Sequence, residues 1–268
     1  GAAVVRGFQG PSPGAEGSVA ACAKHYVAYG ATEAGKEYNT TWVPERLLRD
    51  LYLPPFQACV EAGVMTVMCG FNDLNGLPMS GNRWALRDVL KGELGFAGLV
   101  VSDWASMHEM IAHGNCGDDR DVALASLRAG VDMEMVSNAY EKHVADCVAS
   151  GQLNLEQLDD AVRRILIVKH QIGAFERPYA PSPARALTLS RGHLDLAREA
   201  VRDSLVLLKN EGGCLPLSPA RGSIALIGPL ADDANDPLGC WSFDGDRKAS
   251  VTLRAALVQL ARDQLLAR

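Results

Sequence analysis

The chain has 268 residues, 48% apolar and 22% charged, and its 26 Lys and Arg against 32 Asp and Glu give a net charge of −6. That length and composition belong to a folded globular protein of one large or two smaller domains, and an acidic balance without like-charge blocks speaks against nucleic acid as a partner. No apolar run approaches the ~20 residues of a membrane span, and no cationic stretch leads into an apolar one at the start. A chain opening Gly1-Ala2-Ala3 rather than with Met leaves the question of a leader open. Its seven cysteines are dispersed without a CxxC pair, so they read as buried thiols rather than a disulfide frame or a metal site.

A helix end at 2–8 precedes a Gly- and Pro-rich loop to residue 17, and a first strand is expected at 19–23, running into Lys24-His25-Tyr26. After the polar segment 32–41, Pro44 suits the first turn of a helix bearing Leu47, Leu48 and Leu51. Pro54-Pro55 is expected to interrupt it before a second helical piece at 56–62. A second strand at 64–69 enters the turn-rich loop Gly70-Phe71-Asn72-Asp73-Leu74-Asn75-Gly76. Helical spacing follows at 83–94, closed by Gly95. The third strand, 99–101, runs straight into Ser102-Asp103-Trp104.

Asp118, Asp119 and Asp121 then load the first turn of a helix, where acidic side chains suit the dipole. A fourth strand is expected at 131–135, with helices at 139–149 and 155–172, the latter opening with Asn154 and Gln157 spaced as a capping box. Four strands alternating with helices predict a parallel α/β domain. In such domains the C-terminal strand ends floor the active site, which makes the polar endings Lys24-His25 and Asp103-Trp104 candidates for chemistry. Four strands are half of an eight-stranded barrel, which typically needs ~250 residues.

The Pro-rich stretch 176–193 reads as a linker. Beyond it a helix is expected from Leu196 to Leu208, a buried strand at 223–228, and a last helix capped by Thr252 through Leu266. One strand between two helices is too little for a sheet covered on both faces.

Six segments carry a resemblance: KHYVAYGATEAGKEYNTT (24–41), VMCGFNDLNG (67–76), GFAGLVVSDW (95–104), SGQLNLEQLDDAVRRILIVKHQIGAF (150–175), DSLVLLKNEGGCLPL (203–217) and IALIGPLAD (224–232). In this order they resemble glycoside hydrolase family 3, the retaining β-glucosidases, and within it the bacterial periplasmic ones. The resemblance implies an α/β chain truncated at both ends. Residues 1–175 would be the second half of a (β/α)8 TIM-type barrel, 176–193 a linker and 194–268 the start of an α/β sandwich domain.

It further implies Asp103 as the catalytic nucleophile, with Lys24, His25 and Trp104 binding the sugar and Phe71 in contact with the same subsite. Read from the residues alone, Asp103 could equally cap the next helix, Trp104 pack at a barrel rim, Lys24 be a surface charge and His25 a satisfied imidazole. A retaining glycosidase needs a second carboxyl group roughly 5 Å from the nucleophile, and the resemblance puts that acid/base outside this chain. No cofactor and no metal is expected. His108 and His113 are five apart and off one helical face, and Gly228-Pro229 lacks the GxGxxG of a dinucleotide site.

The expected activity is exo-acting hydrolysis of β-glucosides or short β-linked oligosaccharides by double displacement, with the chain alone nearly inactive. The full-length protein would be periplasmic or secreted, with a homodimer as one option. The alternative is a half-barrel binding or assembly module whose unpaired strand edges invite association.

Overall fold

The computed structural model describes residues 1–179, 189–217 and 222–266. They fall into two units, Gly1–Ala184 and Arg185–Arg268.

In the first unit, α1 (Ala2–Gln9) is tied down by its last residue. The buried Gln9 amide donates to the Gly63 carbonyl at 2.9 Å and accepts from the Ala21 and Met65 amides at 3.3 and 3.1 Å. The Val19 amide is spent on the Phe8 carbonyl, so the first strand starts later than the apolar run: β1 is Cys22–Tyr26, and it contains the polar trio that the sequence placed after it. Next come β2 (Thr40–Thr41), α2 (Glu45–Leu47), a π-type turn over Leu48–Tyr52, and α3 (Pro54–Glu61). The helical turns stop at Tyr52 and a second piece begins, as expected, at Pro54-Pro55, which opens α3 because the first turn needs no intrahelical N–H.

The chain continues through β3 (Thr66–Cys69), the short pair β4 (Asp73–Leu74) and β5 (Leu77–Pro78), a π-type helix over Trp84–Glu93, and β6 (Leu99–Val101). Gly98 lets β6 approach β3, since a Cβ there would stand 2.1 Å from the Met65 carbonyl oxygen. After β6 come α4 (Glu109–Ala112), α5 (Asp119–Ala129), α6 (Ala139–Ala149) and α7 (Leu155–Gln171). The Asp118 carboxylate caps α5, and the Asn154/Gln157 capping box opens α7 as expected.

The central sheet has the order β1-β3-β6, all parallel, and it is small and open. The expected fourth strand at 131–135 is reduced to one parallel bridge, Val101 to Met133. Its amides explain this. Asp132 and Met133 both donate to the Val100 carbonyl, and Met135 donates to the Ser102 hydroxyl at 2.8 Å, so the regular alternation of a ladder is broken.

Val67, Val100, Leu86, Leu90, Val122 and Leu127 form the centre of the core. Tyr26 is fully buried, donates its hydroxyl to the Ala85 carbonyl at 2.9 Å and packs edge-on against Phe56. Asp132 sits beneath the sheet between two cations, Lys91 and Arg164, at 3.0 and 2.9 Å, and also accepts from the Val100 amide at 2.8 Å.

The second unit contains α8 (Arg191–Ser204) and α9 (Leu253–Leu266). Thr252 caps α9 as expected, its hydroxyl accepting from the Ala255 amide. The expected helix to Leu208 ends at Ser204, where Leu205 turns extended (φ −68°, ψ 128°). Leu-Val-Leu-Leu at 205–208 has no polar face, so it fits an extended segment as well as a helix. The expected strand at 223–228 forms no ladder among the described residues. A strand exists only through a partner's hydrogen bonds. Half of the linker expected at 176–193, residues 180–188, lies outside the described residues, and its last three residues already belong to α8. Cys59, Cys69 and Cys147 are buried, whereas Cys22, Cys214 and Cys240 are exposed, so burial accounts for only part of the cysteine set.

Candidate active site

The site forms where β1 and β6 end on the same side of the sheet. Between Ala23, paired with Val67, and Tyr26, paired with Cys69, β1 spends three steps against two on β3. This extra residue is a bulge, a device that re-aims side chains, and Lys24 and His25 are the residues it carries. His25 Nε2 lies 3.3 Å from Asp103 Oδ2.

Asp103 stands two residues past the end of β6 and is 5% exposed. Its Oδ1 accepts from the Trp104 amide at 2.7 Å. Its Oδ2 is buried and has no hydrogen-bond partner among the described residues, because His25 is close but out of line for one. A buried carboxylate oxygen without a donor is costly. One oxygen held and the other bare is a suitable state for a carboxylate that attacks an electrophile.

The buried side-chain atoms without partners share a pattern. Asn72 Oδ1 follows β3, Asp103 Oδ2 and Glu109 Oε2 follow β6, and Ser137 Oγ follows the 131–135 segment. Among the described residues, Asn72, Asp103 and Ser137 thus lie just past the C-terminal ends of parallel segments, the side on which α/β enzymes bind ligands, and Glu109 opens the helix that follows β6.

The His25 imidazole is pushed below its ordinary 6.5, first by burial and then by the Lys24 charge, against the opposing pull of Asp103 and Glu37. Burial and the Lys24 charge thus favour its neutral form. Burial and then the Asp103 charge push the Glu109 carboxyl up. Burial, then Glu37, push the Tyr29 hydroxyl up to about 12.

Of the residues singled out from the sequence, the structure brings His25 and Asp103 into contact and sets Trp104, 42% exposed, beside them. Lys24 is exposed and lines a groove of about 330 Å³ with Val4, Phe8 and Phe56, so its influence on His25 is through charge. Phe71 is 6% exposed and joins the site through rings: it packs on Tyr29 with centroids 6.0 Å apart and on Tyr38 at 4.7 Å. A larger groove of about 690 Å³ along α7, lined by Val162, Leu166, Ile167 and Phe175, holds none of these residues.

Sequence reasoning missed Glu109 and Tyr29. Glu109 lies six residues beyond Asp103 at the start of α4 and looks like any helix-opening acid, and only its burial and the nearby Asp103 charge mark it out. Tyr29 carried a signal in the aromatic spacing Tyr26, Tyr29, Tyr38. His108 and His113 pair with Asp119 at 2.6 Å and Asp73 at 3.6 Å. No group of three or more His, Cys, Asp or Glu among the described residues could hold a metal ion, and no helix among them is long and apolar enough to cross a membrane.

An α/β unit that gathers a bare carboxylate oxygen and an imidazole at parallel strand ends has the layout of an α/β enzyme. The chain belongs to glycosyl hydrolase family 3, whose N-terminal domain model matches residues 1–168. It is 41% identical to a periplasmic β-glucosidase of Salmonella typhimurium over 98% of this chain and 35% of that protein. It is 37% identical to a lysosomal β-glucosidase of Dictyostelium discoideum over 90% of this chain and 31% of that one. The α/β fold is similar to that of a β-glucosidase from Listeria innocua solved with glucose: the TM-score is 0.88 at 38% identity, covering 98% of this chain and 36% of that one. The chain thus spans about a third of the length of the relatives it matches.

Proposed function

We propose that this chain is the nucleophile-bearing part of a retaining, exo-acting β-glucosidase-type hydrolase that releases terminal β-linked glucose or a related sugar. The observation that carries this reading is the bare, buried Oδ2 of Asp103 facing His25 at a strand end. Asp103 Oδ2 attacks the anomeric carbon and the glycosidic C–O bond breaks. Its electron pair goes to the leaving oxygen, which takes a proton from an acid/base outside this chain. Water then cleaves the glycosyl ester and restores the carboxylate. His25 and Trp104, with the charge of Lys24 beside them, hold the hydroxyls and ring of the sugar that stays on the enzyme, an effect that helps catalysis by tightening at the transition state. Phe71 backs this wall through Tyr29.

The consecutive parallel order β1-β3-β6-Met133, without reversal, supports reading residues 1–175 as the second half of a (β/α)8 barrel. The division of the chain at Ala184 supports a linker at 176–193, with the opening of a sandwich domain at 194–268. β-Glucosides and short β-linked oligosaccharides are the proposed substrates, in line with Listeria innocua β-glucosidase structures described with glucose and with laminaribiose. A periplasmic or secreted location goes with them, on the strength of the Salmonella relative.

The test is covalent trapping with a 2-fluoro aryl β-glucoside whose leaving group needs no protonation. The expected result is one glycosyl unit on Asp103 by peptide mass spectrometry and none in Asp103→Asn. A label on another carboxylate would overturn the nucleophile assignment. Full turnover of an unactivated β-glucoside by residues 1–268 would overturn the placing of the acid/base elsewhere.

A second reading, a half-barrel that assembles with another chain, is favoured by β1 standing at the edge of its sheet. A discrete dimer by size-exclusion chromatography with no trapping at Asp103 would support it.

A further inference from the structure

We propose that Tyr29 is a positioning residue for His25, the hub of an aromatic frame that holds the imidazole against Asp103. The proposal rests on the reading of Asp103 and His25 as one site.

His25 sits on a bulge in an edge strand, where ladder pairing does least to fix a side chain. Its one ion-pair contact is the 3.3 Å approach to Asp103, and that approach is out of line for a hydrogen bond. Something else must set the ring plane, and the structure assigns this to packing. The Tyr29 ring stands edge-on to the imidazole, with centroids 5.5 Å apart and planes at 64°. Tyr29 leans in turn on Phe71 at 6.0 Å, and Phe71 makes an edge contact with Tyr38 at 4.7 Å and 69°. The Tyr38 backbone also acts on the Tyr29 hydroxyl, favouring its charged form against burial.

Three separate stretches are thereby locked together: the end of β1, the polar loop 32–41 and the loop after β3. Phe71, buried, anchors the frame to the core. Edge-on aromatic contacts have a preferred geometry, so they orient a ring as well as bury it. The Tyr29 hydroxyl, pushed up to about 12 by burial and then by Glu37, stays un-ionised around neutral pH, which leaves Tyr29 the part of a frame rather than of a proton carrier. Asp103 also bears on it, which puts Tyr29 within reach of the site's charge. The charged groups that act on His25 are Lys24, Asp103 and Glu37.

The experiment is an NMR titration of the His25 imidazole in the chain itself, its signal assigned by His25→Gln, so the readout needs no turnover. In the unsubstituted chain the expected midpoint is lowered from the ordinary histidine value by burial and Lys24, and ring-to-ring NOEs are expected between His25 and Tyr29. Tyr29→Leu removes the ring and exposes the imidazole, so the midpoint rises toward 6.5. Tyr29→Phe keeps the ring and holds the midpoint at the unsubstituted value.

An unmoved midpoint in a folded Tyr29→Leu chain would overturn the proposal. So would absence of the NOEs, a measurement that stands even where Tyr29→Leu fails to fold. The two readings fail separately. A glycosyl label away from Asp103 would sink the nucleophile and leave the titration result intact, whereas an unmoved midpoint would sink the frame and leave the label on Asp103.

Discussion

The two units of this chain have similar apolar residues and opposite fates. In Gly1–Ala184 the apolar positions close on one another around a parallel sheet, and Leu90 is 0% exposed. In Arg185–Arg268 no described residue is buried; Leu208 is 91% exposed and Ile227 90%. The same side chains therefore carry different energies, because hydrophobic stabilisation follows the area removed from water and not the residue type. In the first unit β1 packs against α3 and β6 against α7, helices that follow them in the chain. In the second, the apolar runs 205–208 and 223–228 meet no covering layer among the described residues. A core-like pattern is a request for a partner surface, and only the first unit answers its own.

The largest blow to this contrast is Asp132→Ala. It strips a shared carboxylate from Lys91, Arg164 and the Val100 amide at once and leaves two half-buried cations with, among the described residues, only the Gly130 carbonyl and Asp160 as acceptors. Urea unfolding is expected to lose about 3–5 kcal/mol for the first unit, and a loss below ~1 kcal/mol would mean that the cations find water. The sharpest comparison is one substitution made twice. Leu90→Ala is expected to cost about 2–5 kcal/mol, whereas Leu208→Ala stays within about 0.5 kcal/mol. Equal costs would show that Leu208 is covered in solution.

At the capping box of α7, Asn154→Ala is expected to cost about 1 kcal/mol, read from the same unfolding transition. A further effect is a pH dependence, spread over several pH units rather than read at one. Burial pulls the Lys91 ammonium down to about 8 from 10.5 despite Asp132. Between those values the unfolded chain binds more protons than the folded one, so the Lys91 contribution to stability rises with pH across this window. Lys91→Met, measured from pH 7.5 to 10.5, is expected to flatten that slope.

The helices were legible where caps and periodicity agree, as with Asp118 before α5 and the Asn154/Gln157 pair before α7. Strand limits were less so. The run from Val19 to Ala23 looks like a strand, but the Val19 amide goes to Phe8 and that of Ala21 to the Gln9 side chain, so pairing starts at Cys22. The run from Val131 to Met135 looks like another, yet Ser102 takes one of its amides and leaves a single bridge. Such losses are decided by groups distant in the chain, and no local window contains them.

By itself the sequence determined the α/β class of the first unit, the polar strand endings and the family, because hydrophobic period, cap chemistry and local motifs are written in neighbouring residues. Tertiary structure decided the rest. A one-residue bulge in β1 brings His25 to Asp103, and packing leaves Oδ2 of Asp103 bare. It also draws Phe71, 46 positions from His25, into a frame behind the imidazole through Tyr29. Each depends on register and burial, which exist only once strands far apart in sequence lie side by side.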